Sequence, residues 1–369
     1  MKKITFLLLH LGYGGIETAT INTCNNLCDE YDVEIVSFYK LKDSQTSSLD
    51  PRVKIKFLYD GGPNREEFLI AKQKHNIFKM IYEGVKALKI LYLRKHLIIK
   101  EIKESTSDYI VSTRIDYSIL LNKYGKSIKI VQEHRHHNWE KNYVKKLQSL
   151  KNIDYIFALT DSLKRDYERF LRKTNVKIVV VPNMISMPKD KSSLRSGDLI
   201  TICRLHSIKK IDEMISIFSK LENDKTKLYI VGSGDEEERL KVMTENMGLT
   251  DRVIFTGYLT KKEMIPYLKK SSVFLMTSIT EGLPMVLLEA MSYGIPCIAY
   301  RTESGVSDII DNGINGYIID NRNEAIYVDT LNRMLKDKKE LKRLGVGAKE
   351  KAYKFSREEV KKIWVDILK

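Results

Sequence analysis

Two carboxylates, Glu281 and Glu289, stand eight residues apart where an apolar run gives way to a helix-forming one. Eight helical steps rise about 12 Å, so the two can share a helix face but lie too far apart for a paired acid and base. That separation suits two hydroxyl-binding groups at opposite ends of an elongated ligand, one for a sugar and one for a ribose. The residues around them supply an anion site. Val273-Phe274-Leu275-Met276 reads as a buried parallel strand. Glu281-Gly282-Leu283-Pro284 breaks it, and Met285 to Met291 resumes as a helix. Pro284 near the first turn and Gly294 beyond the last fit the start and stop chemistry of that helix. A strand, a Gly-containing turn and a helix leave backbone N–H groups and a helix dipole facing outward, a setting for phosphate.

The stretch TSITEGLPMVLLEAMSYGIPCIAY resembles the EX7E donor-binding region of retaining glycosyltransferases of the GT4 family. The similarity runs through most of residues 180–320 and more weakly over the rest. It implies that Glu281, Gly282, Leu283, Pro284, Met285, Val286 and Glu289 bind a nucleotide-sugar donor. Arg204 and Lys209 match the two cations of the family's GRLxxxKG segment, with Cys203 and Lys210 standing where glycines are usual. Two cations beside a helix N-terminus would neutralise a diphosphate as it leaves. Gly257 and Tyr258 match the loop that holds the base. Gly14-Gly15-Ile16-Glu17 resembles the GGxE loop, which serves the donor phosphates from the first domain. His134 matches the histidine of a SEHN-like segment and would orient the transferred sugar and stabilise its charge. The resemblance thus makes His134, Glu281, Arg204 and Lys209 the catalytic set.

These residues need scaffolds, and the chain supplies two. Its 369 residues are long for one core and comfortable for two domains. Strands alternate with helices throughout, and two separate Gly-rich turns each follow a strand. Ile4–Leu9, Gly12–Glu17 and Thr18–Leu27 form the first such strand, turn and helix. The turn is not GxGxxG, so no dinucleotide cofactor is expected. The expected fold class is α/β, and the resemblance names it GT-B: two Rossmann-like, doubly wound domains facing across a cleft. An acceptor-binding domain is placed at 1–185, a nucleotide-sugar domain at 186–355, and a helix returning to the first domain at 356–369. Ser304–Asp308 and Asn312–Tyr317 read as loops bounding the last strand.

Composition narrows the setting. The opening MKKITFLLLHLGYGG imitates a signal peptide, but its apolar core is short and no small-residue cleavage site follows, so it reads as a first buried strand. No run approaches the ~20 apolar residues that span a bilayer. Cys24, Cys28, Cys203 and Cys297 read as thiols in a reducing cytosol, without the partners of a zinc site. Glu133–Trp139 carries three histidines, yet adjacent residues on a loop seldom converge on one ion. The formal charge of +15 is concentrated in residues 1–185, with 32 Lys and Arg against 21 Asp and Glu. Residues 65–104 form a basic helical region that Gly84 divides in two. Its stripe of Ile77, Ile81, Val85, Leu88 and Leu91 or Tyr92 faces either a core or an anionic bilayer. A basic half favours an anionic partner, but no nucleic-acid-binding motif is present.

Together these readings describe a retaining, metal-independent glycosyltransferase with no cofactor beyond its substrate. It would move a hexose or N-acetylhexosamine from a nucleoside-diphosphate sugar, UDP first, to a cell-envelope glycan or lipid-linked acceptor. The reaction would take place in the cytoplasm, at the inner face of the plasma membrane. Another GT-B enzyme, an epimerase or phosphorylase, or a catalytically silent partner subunit would share the fold. The sequence leaves the sugar, the acceptor and the oligomeric state open. One consequence is testable directly: His134→Ala should cut the transfer rate far more than donor affinity, measured by steady-state kinetics beside calorimetry. Equivalent loss from His136 or His137, with His134 tolerant, would move the site within the loop.

Overall fold

The computed structural model describes residues 1–12, 14–133 and 140–369, so His134 and its neighbours through Trp139 lie outside the described residues. The chain divides into two units, Met1–Pro182 with Trp364–Lys369, and Asn183–Ile363.

Short runs rich in Ile, Val, Phe and Tyr build the first unit, as buried parallel strands require. Its strands are β1 (Lys3–Leu8), β2 (Asp32–Lys40), β3 (Lys54–Asp60), β4 (Tyr109–Ser112), β5 (Ile128–Val131), β6 (Tyr155–Ala158) and β7 (Lys177–Val180). Between them run α1 (Gly15–Leu27), α2 (Arg65–Gln73), α3 (Ile77–Glu104), α4 (Ile115–Tyr124), α5 (Lys141–Gln148) and α6 (Asp161–Phe170). The sheet order is β3-β2-β1-β4-β5-β6-β7. The N-terminal apolar run is therefore a central strand, hydrogen-bonded to β2 on one side and β4 on the other. Strand order reverses between β1 and β4. With right-handed crossovers, that reversal puts helices on both faces of the sheet.

The basic helical region breaks at Lys74–Asn76, not at Gly84, which lies inside α3. The reason is local. His75 takes a left-handed φ of 50°, and the Asn76 side chain caps α3 by accepting from the Lys79 N–H at 3.0 Å. Gly84 has no such neighbours and only weakens the helix it sits in.

The second unit contains β8 (Leu199–Ile202), β9 (Leu228–Val231), β10 (Val253–Gly257), β11 (Val273–Met276), β12 (Cys297–Tyr300) and β13 (Gly316–Ile319). Its helices are α7 (Ile211–Ser219), α8 (Glu237–Asn246), α9 (Lys261–Lys270), α10 (Met285–Ser292), α11 (Val306–Ile309), α12 (Glu324–Lys336), α13 (Lys338–Tyr353) and α14 (Arg357–Ile367). All strands are parallel, in the order β10-β9-β8-β11-β12-β13, reversing between β8 and β11. Ser304–Asp308 and Asn312–Tyr317 do not bound the last strand. The one-turn α11 takes up the end of the first, and β13 begins at Gly316 inside the second. Gly305 turns the chain into that helix with φ +82°. Among the described residues, no helix is long and apolar enough to cross a membrane.

The end of α14 closes the first unit's core. Trp364 is fully buried, its ring 4.8 Å from Phe157 and 5.9 Å from Phe6. The following turn is held by the Tyr109 hydroxyl, which donates to the Leu368 carbonyl at 2.5 Å, and by Lys2 Nζ, which donates to the Lys369 carbonyl at 2.8 Å. Truncating Trp364 leaves a cavity between two aromatic rings, so Trp364→Ala should destabilise the first unit by roughly 3–5 kcal/mol. Urea denaturation checks this, with an unshifted midpoint as the contrary result.

Candidate active site

In an open parallel sheet, ligands bind outside the carboxyl ends of the strands where the order reverses. In the second unit that place is defined by the loops after β8 and β11. The first carries Arg204 and Lys209, the second Glu281 to Pro284. Hydrogen bonds stitch the two loops together. The Thr277 hydroxyl lies 2.9 and 2.8 Å from the carbonyl oxygens of Lys209 and Lys210, and the Ile279 N–H donates to Ile208 O at 2.9 Å. Lys210 takes a left-handed φ of 51°, which accounts for the glycine usual at this position. Gly232, at the end of β9, has φ +133°, and a Cβ there would stand 1.9 Å from the Cys203 carbonyl. The loop after β8 is thus seated against backbone on two sides.

This stitching brings Lys209 and Glu281 together. Lys209 Nζ donates to Glu281 Oε1 at 2.6 Å, with side chains only 23% and 14% exposed. A cation and a carboxylate so close and so shielded form a charge-assisted hydrogen bond at the end of the sheet. The half-buried Cys203 thiol lies near them, pushed up to about 12 by desolvation with Lys209 opposing. It is a neutral neighbour and no nucleophile. Arg204 does not join the pair. It is exposed and 3.9 Å from Asp235.

The Glu281–Pro284 loop is fixed from its other side. Ser304 Oγ donates to the Glu281 carbonyl at 3.0 Å, and a Cβ on Gly305 would meet Gly282 O at 2.0 Å. Arg322 reaches back under the same loop. Its guanidinium donates to Thr277 O at 2.7 Å and Ser278 O at 3.2 Å, bonds Glu213, and stacks 4.5 Å over the Tyr300 ring. The Thr280 hydroxyl beside Glu281 is buried and has no hydrogen-bond partner among the described residues. Such a group is costly until a ligand reaches it.

Glu281 precedes α10 and is not part of it, because Pro284 occupies the N-cap position. The eight-step helical separation from Glu289 therefore does not apply. With no side-chain cap at Pro284, the first N–H groups of α10 are left for another acceptor. Gly294, φ +73°, ends the helix with its N–H on Met291 O at 2.8 Å. Leu287, Leu288, Ala290 and Met291 bury the inner face of α10, and Leu283 is buried just before it. Glu289 is only partly buried, yet desolvation raises its carboxyl above the ordinary range, with Lys261 opposing. No group among the described residues hydrogen-bonds that carboxylate. Lys261 opens α9, three residues past Tyr258, whose ring is 69% exposed and free to lie against a flat ligand. Gly257 ends β10 with φ +70°. Among the described residues, no three His, Cys, Asp or Glu side chains gather to hold a metal ion.

Gly14 and Gly15 belong to the first unit, as the N-cap and first residue of α1. Gly14 is extended at φ −177°, but a Cβ there would stand 2.2 Å from Glu17 Oε2, which curls back over the turn. Because that contact is the end of a flexible side chain and φ is not positive, nothing in the backbone requires glycine here. At this unit's own strand reversal lies a cavity of about 270 Å3 that sequence reading missed. Thr113, Arg114, Asp116, Glu133, Tyr143 and Lys146 line it. Arg114 Nε is buried there without a hydrogen-bond partner among the described residues.

Residues 185–351 match the family profile of Glycosyl transferases group 1. Those residues form a group 1 glycosyltransferase domain, and the chain is a glycosyltransferase similar to GT4 enzymes. Among its relatives is an uncharacterized glycosyltransferase of Haemophilus influenzae, 28% identical over 333 residues, 88% of this chain and 87% of that protein. Another is the Campylobacter jejuni GalNAc-α-(1→4)-GalNAc-α-(1→3)-diNAcBac-PP-undecaprenol α-1,4-N-acetyl-D-galactosaminyltransferase, 26% identical over 381 residues, 100% of this chain and 98% of that protein. A mutant of S. aureus TarM, solved with fondaparinux, α-GlcNAc-glycerol and UDP, superposes with a TM-score of 0.76 at 17% identity, covering 99% of each chain. That likeness establishes the GT-B fold.

Glu289 makes the site's arrangement measurable. Its raised carboxyl means the folded state bears a desolvated charge at neutral pH, a cost that fades as pH falls through the raised value and the group protonates. Glu289→Gln should therefore raise the melting temperature of the free protein near neutral pH, with the difference closing towards acid pH. The same variant should weaken nucleotide binding by roughly 1–3 kcal/mol, since hydrogen bonds to a charged group are lost. Calorimetric melting and titration on one sample check both halves. A variant no more stable and binding as tightly as the parent is the contrary result.

Proposed function

We propose that this glycosyltransferase is retaining and metal-independent, moving a hexose or N-acetylhexosamine from a UDP-sugar to a hydroxyl of a cell-envelope glycan or lipid-linked acceptor. The observation that carries the reading is the Lys209–Glu281 pair beside the uncapped start of α10. As the bond between the sugar and the diphosphate breaks, negative charge grows on the leaving phosphate. Lys209, the α10 N–H groups and an inward-swung Arg204 meet that charge, in the place a divalent cation takes elsewhere. Glu281 accepts from sugar hydroxyls while Lys209 holds its other side. Glu289 accepts from the ribose hydroxyls, and Tyr258 with Gly257 borders the base. His134 serves the transferred sugar. The acceptor hydroxyl attacks from the face the diphosphate leaves and gives its proton to a departing phosphate oxygen, so no protein nucleophile or cofactor enters.

The donor reading is supported by the UDP in the TarM complex, and the acceptor reading by the lipid-pyrophosphate-linked substrate that the Campylobacter relative's name specifies. The basic first unit, with 32 Lys and Arg against 21 Asp and Glu in residues 1–185, suits an anionic acceptor. An acceptor of that kind places the reaction at the cytoplasmic face of the plasma membrane, with peripheral contact to anionic lipid.

A screen of nucleotide sugars tests the reading. Acceptor-dependent release of UDP, an unchanged anomeric configuration by NMR and full activity in EDTA are expected. Inversion, or loss of turnover on chelation, would overturn it. At the residue level, Lys209→Ala should lower turnover roughly 10²–10³-fold, the scale of one lost stabiliser of developing charge. Glu281→Gln should lower turnover with little change in UDP affinity, because its partners are on the sugar.

A further inference from the structure

The first half of α3 exposes the residues a core helix would bury. Ile77 is 68% exposed, Ile81 60%, Leu88 67% and Tyr92 76%, and Phe78, Tyr82 and Val85 flank them. From Ile77 to Tyr92 the stripe runs about 22 Å along the helix at 1.5 Å per residue. The opposite face is the one that packs: Ile90 and Leu97 rest on Phe38 and Tyr39. Patches of this size on a soluble protein mark an interaction surface.

Charge says which surface. Between Lys72 and Lys95 stand six lysines and one arginine, and the only carboxylate is Glu83. Glu83 is turned inward and buried, where the Asn64 amide donates to its Oε2 at 2.9 Å. The outward face is therefore apolar and cationic with no exposed acid to balance it. A second copy of this chain is a poor partner, since a two-fold contact would set like charges against each other. A nucleic acid would leave the aliphatic stripe unmatched.

The geometry points to an anionic lipid bilayer as the occupant of this face, with α3 lying in the headgroup plane, its Ile, Leu and Tyr side chains dipping into the acyl boundary and its lysines on lipid phosphates. The inference builds on the proposed membrane setting of the reaction and adds the surface that makes the contact.

Cosedimentation with vesicles tests it on the full chain. Vesicles of phosphatidylglycerol with phosphatidylcholine should bind the protein, and phosphatidylcholine alone should bind it poorly. Binding should fall steeply from about 0.01 M to about 1 M salt, as the screening length drops from roughly 30 Å to 3 Å. Lys79→Gln, Lys89→Gln and Lys95→Gln together should lower the partition about 100-fold, and Ile81→Gln with Leu88→Gln at least about tenfold. Both variants should keep wild-type melting and UDP-sugar hydrolysis, which separates a lost surface from a lost fold. Equal binding to both vesicle types, none to either, or variants that bind like the parent would overturn the proposal. So would a wild-type dimer that Ile81→Gln with Leu88→Gln dissolves. UDP-sugar hydrolysis in the same samples separates this failure from failure of the proposed transfer reaction.

Discussion

The contact between Lys209 and Glu281 organises the second unit's site. Neither side chain is well hydrated, and bringing two charges out of water costs more than their attraction returns unless the geometry is held tightly. The fold supplies that hold. Thr277 ties the loop after β8 to the loop after β11, Ser304 binds the Glu281 carbonyl, and Arg322 braces Thr277 and Ser278 from beyond β13. A pair fixed this way adds little to stability. In the proposed reaction it sets a cation and an acid side by side, one for a phosphate and one for sugar hydroxyls.

Around that contact the protein leaves other groups short of partners. Glu289 carries its charge in a desolvated position, the Thr280 hydroxyl is buried unbonded, and α10 begins without a cap. Each is a local cost, and all cluster near the strand reversal where a ligand would satisfy them. The rest of the unit is conventional by comparison, with fully buried Ile, Leu and Phe side chains across the sheet. Binding and stability pull in opposite directions at these few positions, as is usual where a site is built before its ligand arrives.

Much of this was legible in the sequence. Parallel strands buried on both faces declare themselves as short apolar runs, and β1, β4 and β11 lie where those runs fall. Gly294 ends its helix as its chemistry dictates. What sequence could not give is long-range. Arg322 lies more than forty residues from the loop it braces and looks like any surface arginine until the sheet is assembled. Arg204 and Lys209 read alike as cations, but only Lys209 reaches Glu281. The break at His75 was missed because Gly84 is the more obvious weak point, whereas an Asn cap outweighs a mid-helix glycine. The α3 stripe has a core helix's periodicity, and only the folded unit shows that the other face is packed.

The account rests on a nucleoside diphosphate binding where β8 and β11 part. A crystal structure of the protein with UDP tests that most directly. The account predicts the β-phosphate on Lys209 Nζ and the α10 N–H groups, the ribose hydroxyls on Glu289, and the base beside Tyr258. UDP seated elsewhere, or a ribose that leaves Glu289 without a contact, would contradict it.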